Sequence, residues 1–224
     1  MSLGPDLLAA LTLRAGPNAA LVGMGAAGLG LVAGSVGAFL TLRRRALMSD
    51  ALAHATLPGL GLAFLLSLAL GLGRNLPLLM LGAALSALLG LWAVQRLSRS
   101  RIGQDAAIGA VLSSFYGAGV VILTLIQGLR SGQQAGLEGF LLGSTAGMLR
   151  ADLAVIAGGG ALVLLALWVL HRPLALIAFD EGAAQVMGLN VARFDAALLG
   201  LVLGVVLLGL QVVGLILIVA LLIT

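Results

Sequence analysis

The most constraining feature of this 224-residue sequence is a series of long apolar runs. A helix needs about 20 mainly apolar residues to cross a bilayer, whereas a barrel strand needs only about 10. Only 9% of the residues are charged, compared with roughly a quarter in soluble domains. The sequence therefore predicts an all-α, polytopic membrane protein with a single transmembrane domain over residues 1–224. Six runs are long enough to span, approximately 19–41, 47–72, 76–95, 104–128, 152–171 and 195–224.

The composition excludes several functional classes. All twelve basic residues are arginines, and their scatter along the edges of the apolar runs argues against nucleic-acid binding. Without lysine the chain lacks the essential residue of a P-loop, so we expect no ATP hydrolysis and no enzymatic activity from it. Without cysteine it has no disulfides and no thiolate metal sites. What remains is a non-enzymatic protein surrounded by lipid.

The positions of the arginines predict the orientation in the membrane. Residues 43–45 are three consecutive arginines after the first run, and three more occur within residues 96–101 after the third. Because basic residues accumulate on the cytoplasmic side, both groups should be cytoplasmic and the N-terminus should lie outside. Residues 1–18 are too short and too polar to cross, so we expect an interfacial segment there.

Two segments depart from simple spans. Residues 129–151 are polar apart from a short apolar run, so we expect an outer-face helix or a re-entrant segment. The final run, 195–224, would measure about 45 Å as one helix, which exceeds a hydrocarbon core of about 30 Å. We therefore expect a break near Gly209 to Gly214. The chain stops at Thr224 inside this run, which we interpret as a truncated C-terminus.

Glycines separated by three residues occur inside the spans, for example Gly30 with Gly34 and Gly200 with Gly204. Small residues at this spacing allow membrane helices to approach closely. We expect these glycines to be packing positions in a tight bundle, without bearing on the substrate.

One acid and one histidine fall inside an apolar run. Asp50 and His54 are four residues apart, so they share one face of the second span. A carboxylate and an imidazole suit Zn²⁺, Mn²⁺ or Fe²⁺, but they make only half of a tetrahedral site. A second copy of this face across a two-fold axis would complete four ligands. The alternative is a hydrogen-bonded pair that only locks helices together, and the spacing alone does not decide between the two.

Other polar residues in the spans give weaker indications. Ser113, Ser114, Tyr116 and Gln211 could line a pore or satisfy hydrogen bonds between helices. We favour hydrogen bonding, because it is the commoner role of such side chains in membrane bundles.

The predicted cytoplasmic segment 179–190 reads as a short capped helix. Asp180 can cap it, Glu181 suits the positive end of its dipole, and Gly188 can end it. Displayed Ala183, Ala184 and Met187 would make this helix a docking surface for another protein. The alternative is an ordinary interfacial helix that lies on the lipid.

Together these motifs resemble the ABC-3 family of metal ABC-transporter permeases, the membrane subunits of bacterial zinc, manganese and iron uptake systems. The resemblance covers about residues 20–224. It rests on four stretches, namely Gly34 through Arg45 to Gly59, Phe140–Ser144, Phe179–Leu189 and Gln211–Thr224.

The resemblance implies a fold like that of vitamin B12 and siderophore importers. It implies that Asp50 and His54 coordinate the transported cation, and that Asp180 through Gly188, including Glu181 and Ala183, contact a cytoplasmic ABC ATPase. It also implies a homodimer in the bacterial inner membrane, supplied by an extracytoplasmic metal-binding protein. The metal would be the substrate, and no resident cofactor is expected.

The resulting hypothesis is a permease subunit that imports zinc or manganese, with iron as a third candidate, by alternating access driven by separate ATPase subunits. The alternative is a secondary cation transporter or channel that uses Asp50 and His54 without an ATPase. A structural membrane subunit without a pore is the remaining alternative. A carboxylate–imidazole pair accepts both zinc and manganese, so the sequence does not choose between them.

Overall fold

The computed structural model describes residues 17–72, 75–99, 102–128, 143 and 148–223. These residues form helices only, which confirms the all-α class. Residues 1–16 of the predicted interfacial segment and most of the outer-face segment 129–151 lie outside the described residues. The helices are α1 (Pro17–Leu42), α2 (Ala46–Ala69), α3 (Leu76–Ser98), α4 (Gln104–Gly128), α5 (Arg150–Phe179), α6 (Glu181–Val186), α7 (Val191–Val212) and α8 (Gly214–Ile223).

Six of these helices are long and apolar enough to cross a membrane, namely α1 to α5 and α7. Local chemistry explains where they begin and end. The side chain of Asn75 caps α3 by accepting a hydrogen bond from the Leu78 amide at 3.2 Å, and a proline follows in the first turn. After α1 the chain reverses through consecutive arginines, and Arg44 adopts the left-handed conformation with φ of 53°.

The last apolar run is broken, as its length requires. Helix α7 ends at Val212, and α8 begins at Gly214, whose φ of 78° is unfavourable for residues with a side chain. The break therefore falls within the region from Gly209 to Gly214 that the sequence predicts.

Helix α2 is the central helix of the described bundle. It packs against α3 and α4 along much of its length and also contacts α7 and α8. In its most apolar stretch 72% of the residues are buried, compared with 22–39% in the other five spans. Polar side chains on this helix are therefore surrounded mainly by protein rather than by lipid.

The closest helix contacts occur at glycines other than the predicted pairs. A methyl group added at Gly59 of α2 would overlap the carbonyl oxygen of Gly82 in α3. By contrast, an added methyl group at Gly30, Gly34 or Gly200 meets no atom of the described residues within 4 Å. Within the described chain these three glycines are therefore not packing positions, because glycine spacing shows where helices could approach but not which face meets a neighbour.

The Gly59 contact predicts a specific loss of stability. Gly59→Ala forces α2 and α3 apart, and overpacking of this kind costs about 1–3 kcal/mol of unfolding free energy. The matched control Gly30→Ala meets open space and should leave stability unchanged or raise it by up to about 1 kcal/mol through helix propensity. Thermal unfolding of the detergent-solubilised variants measures the difference. Equal melting temperatures for both variants would contradict the Gly59–Gly82 contact.

Candidate metal site and the exposed short helix

Asp50 and His54 lie in the first part of the central helix. Because α2 begins at Ala46, Asp50 is about 6 Å and His54 about 12 Å along the helix axis from its start. The Nε2 atom of His54 lies 3.2 Å from Oδ1 of Asp50, and their side chains are 23% and 35% exposed respectively. The two groups thus form a half-buried pair on a mostly buried helix.

The imidazole of His54 is also held from a second helix. The ring of Tyr116 in α4 meets it edge-on, with 5.0 Å between the ring centroids and an interplanar angle of 78°. Its Nδ1 atom is buried and has no hydrogen-bond partner in the described part of the chain. The sequence interpretation of Tyr116 as a hydrogen-bonding residue missed this ring contact, because an aromatic contact between helices leaves no periodic signal.

The geometry of this pair suits a divalent metal ion. Ligand atoms about 2.1 Å from zinc and separated by the tetrahedral angle lie about 3.4 Å apart. The observed 3.2 Å is close to this distance, so an ion could replace the hydrogen bond with little movement. No third histidine, cysteine, aspartate or glutamate completes a metal-binding group within the described ranges. The described part of one chain therefore brings together two candidate ligands.

A proline modifies the backbone next to the pair. Pro58 lies inside α2 and has no N–H to donate to the carbonyl of His54, four residues earlier. The carbonyl of His54 thus loses its usual helical donor close to the two side chains.

The remaining polar residues of the spans contribute less. The hydroxyl of Ser114 donates to the carbonyl of Ala110 in its own helix at 2.7 Å, so the expected hydrogen bond between helices is wrong for this residue. The side chain of Gln211 lies outside the described residues.

The short helix α6 has the predicted caps. The carboxylate of Asp180 accepts a hydrogen bond from the Ala183 amide at 2.9 Å. Gly188 ends the helix with φ of 81°, and the Leu189 amide then donates to the carbonyl of Ala184 at 3.0 Å. One part of the prediction is wrong, because the side chain of Ala184 is fully buried rather than displayed.

Large apolar side chains are exposed on and beside α6, together with the polar Glu181 and Gln185. Phe179, Val186 and Met187 are 81%, 91% and 70% exposed. They flank the helix at both ends, and we call them the apolar surface of α6. Exposed apolar side chains that are neighbours, as Val186 and Met187 are in sequence, are typical of a membrane or protein contact.

A partly buried ion cluster joins this short helix to the α1–α2 connection. Arg43 donates to both carboxylate oxygens of Asp195 at 3.0–3.1 Å and to Glu181 at 3.1 Å. Arg45 also pairs with Asp195, at 2.8 Å. We call these four residues the arginine cluster. The cluster links the α1–α2 connection to α6 through Glu181 and to α7 through Asp195.

The electrostatics of the cluster favour charged Arg43. Burial opposes its charge, but the hydrogen bonds and charges of Asp195 and Glu181 outweigh that effect and raise the pKa of Arg43. Sequence reasoning missed Asp195, since its partner Arg43 lies 152 residues earlier. The available signal was an acid at the start of an apolar run.

Six helices long and apolar enough to cross a membrane, with a half-buried acid–imidazole pair on the central one, define a polytopic membrane protein. The chain belongs to the ABC 3 transport family, which matches residues 18–224. The resemblance read from its motifs is thereby confirmed. Membership of the family and the six apolar helices make it a multi-pass protein of the bacterial plasma membrane.

The chain is similar to curated proteins that are named for metal transport. The chain is 42% identical over 209 residues to the manganese transport system membrane protein MntC of Bacillus subtilis (strain 168). The aligned residues cover 93% of this chain and 47% of that protein. It is 38% identical over 195 residues to the zinc transport system membrane protein TroC of Treponema pallidum (strain Nichols), 87% of this chain and 64% of that protein. The chain therefore spans between about half and two thirds of the length of these curated relatives.

A solved structure shares the architecture. PsaBC from Streptococcus pneumoniae, in complex with a Fab, superposes with a TM-score of 0.76 at 32% identity. The match covers 99% of this chain and 74% of that chain. The arrangement of helices described above is thus that of a known membrane protein structure.

Proposed function

We propose that this chain acts as the membrane permease of an ATP-driven importer of divalent transition-metal ions, zinc or manganese. The Asp50–His54 pair on the central helix is the observation that carries the proposal. Relatives named for manganese and for zinc transport support both ions as substrates. A carboxylate with an imidazole accepts either ion, and iron remains compatible with the same ligands.

A second copy of the chain completes the proposed path. The pair supplies two ligands and keeps part of its surface open, whereas zinc in proteins is usually held by four. Two such faces meeting at a two-fold axis would supply four side-chain ligands. An extracytoplasmic metal-binding protein would deliver the ion to the outer end of this path.

Separate ATPase subunits supply the energy in this proposal. The chain has no lysine for a P-loop of its own, so nucleotide hydrolysis belongs to a partner. The capped helix α6, with its exposed Val186 and Met187, offers an apolar surface on which the ATPase would dock. Asp180 and Gly188 hold the shape of that surface through the two caps. Movement at this contact would drive alternating access.

Metal uptake into vesicles tests the proposal against a secondary transporter or channel. Vesicles containing the full-length protein and its ATPase subunits should take up radiolabelled manganese or zinc only with ATP, by at least about tenfold over background. A proton ionophore should leave this uptake unchanged. Uptake that needs no ATPase subunit and collapses with the ionophore would establish the secondary transporter instead.

A further inference from the structure

We propose that Arg43 and Asp195 are positioning residues that transmit displacement of the short helix α6 to the start of α2, and so to the Asp50–His54 pair. This inference rests on the proposed function and adds to it the route by which the docking surface acts on the metal site. The residues that carry the route are those of the arginine cluster.

The first step is the contact between α6 and the α1–α2 connection. Nη1 of Arg43 donates to Oε2 of Glu181, the first residue of α6, and to the carbonyl of Ile177 in the last turn of α5, at 2.9 Å. That carbonyl is one of the last four of α5, which lack helical donors and carry the negative end of the helix dipole. Arg43 is therefore attached to both sides of Asp180, where the chain turns from α5 into α6.

The second step leads from Arg43 to α2. Asp195 in α7 binds Arg43 through both of its oxygens and Arg45 through Oδ2. Arg45 is the residue that immediately precedes α2, and Asp50 follows one turn after the helix begins. A movement that shifts Arg43 relative to Asp195 must therefore act on the first turn of α2.

The chemistry of the cluster fits transmission better than simple anchoring. An arginine can donate to several acceptors in fixed directions, and Arg43 engages groups from α5, α6 and α7 at once. Such contacts are directional and can exchange acceptors. The side chains of Arg43 and Asp195 are each only 9% exposed, so water competes little for these bonds. Helix packing alone would not require three helix ends to share one guanidinium.

The test compares metal transport with ATP hydrolysis in the reconstituted complex of the full-length protein and its ATPase subunits. Asp195→Asn preserves side-chain volume but removes the charge that both arginines share. Arg43→Lys keeps the charge but cannot reach the same acceptors together. The matched control is Arg44→Lys, because Arg44 is exposed and has no ion pair in the described part of the chain.

We expect metal taken up per ATP hydrolysed to fall by about tenfold in Asp195→Asn and Arg43→Lys, a size typical of coupling between sites. ATP hydrolysis should stay within about twofold of wild type, the ATPase subunits should remain bound, and Arg44→Lys should keep the wild-type ratio. A purely structural role would instead lower uptake and hydrolysis together.

An unchanged ratio in both variants, or a parallel loss of uptake and hydrolysis, overturns the inference. If the Asp195 variant fails to assemble, Glu181→Gln decides, because half-exposed Glu181 tolerates the change. If Glu181→Gln takes up less metal per ATP hydrolysed than wild type, the inference is supported. If this ratio equals that of wild type, the inference is overturned. A wild-type complex that shows no ATP-driven uptake contradicts the proposed function rather than this inference.

Discussion

Asp50→Ala should reduce cellular uptake of both manganese and zinc by at least about 100-fold, because loss of a direct ligand exceeds the 10–100-fold effect of losing a supporting residue. In the proposed site, His54 Nε2 would then be the one side-chain ligand left within the described part of each chain. Uptake of radiolabelled manganese and zinc by cells that express the full-length protein with its partners measures the loss.

The same assay separates ligand loss from other causes. Asp50→Asn retains size and hydrogen bonding to His54 but should lose nearly as much zinc uptake, because a neutral amide is a poor ligand for zinc. The matched control Asp105→Asn removes an exposed carboxylate at the start of α4 and should transport normally. Wild-type uptake by Asp50→Ala, at equal protein levels, would favour a subunit without a metal path.

The double variant Val186→Asp/Met187→Asp should lose at least about 100-fold in affinity for the ATPase subunits. Burying one large apolar side chain contributes about 1.5–3 kcal/mol, so two account for a loss of this size before the cost of burying new charges. Capture of the purified ATPase subunit by the tagged permease measures the affinity.

A matched variant controls for added charge on the same side of the protein. Ile102, between α3 and α4, is 43% exposed, and Ile102→Asp should bind the ATPase subunit normally. Gly188→Pro should disrupt the surface through the backbone, since proline cannot adopt the φ of 81° found there. Retained binding by both the double variant and Gly188→Pro would exclude α6 as the docking helix.

Local features of this protein were predictable from sequence because they depend on neighbouring residues. The Asp50–His54 contact follows from helical spacing, and the caps at Asp180 and Gly188 follow from short-range hydrogen-bonding preferences. The break before Gly214 follows from the mismatch between run length and bilayer thickness.

Contacts between distant segments could not be predicted from sequence, and the reason is physical. Arg43 meets Asp195 only once α1 and α7 are packed, and nothing in either local sequence specifies the other. The glycines show the same limit, since Gly59 and Gly82 touch while the better-spaced Gly30 and Gly34 meet nothing in the described chain. The packing of the whole bundle decides which face of each helix meets a neighbour. The sequence of one helix shows only which faces could allow a close contact.

The close contact between Gly59 and Gly82 makes that point of α2 a pivot about which the helix could tilt. Backbone atoms in contact cannot slide past each other without overlap, whereas the ion pairs at the start of α2 can exchange partners. Asp50 lies about 13.5 Å and His54 about 7.5 Å from Gly59 along the axis, so a tilt of about 10° moves them about 2.3 Å and 1.3 Å. Because both side chains belong to α2, such a tilt would leave their separation unchanged and would shift the pair relative to any ligand outside α2, while the α2–α3 pair stays intact.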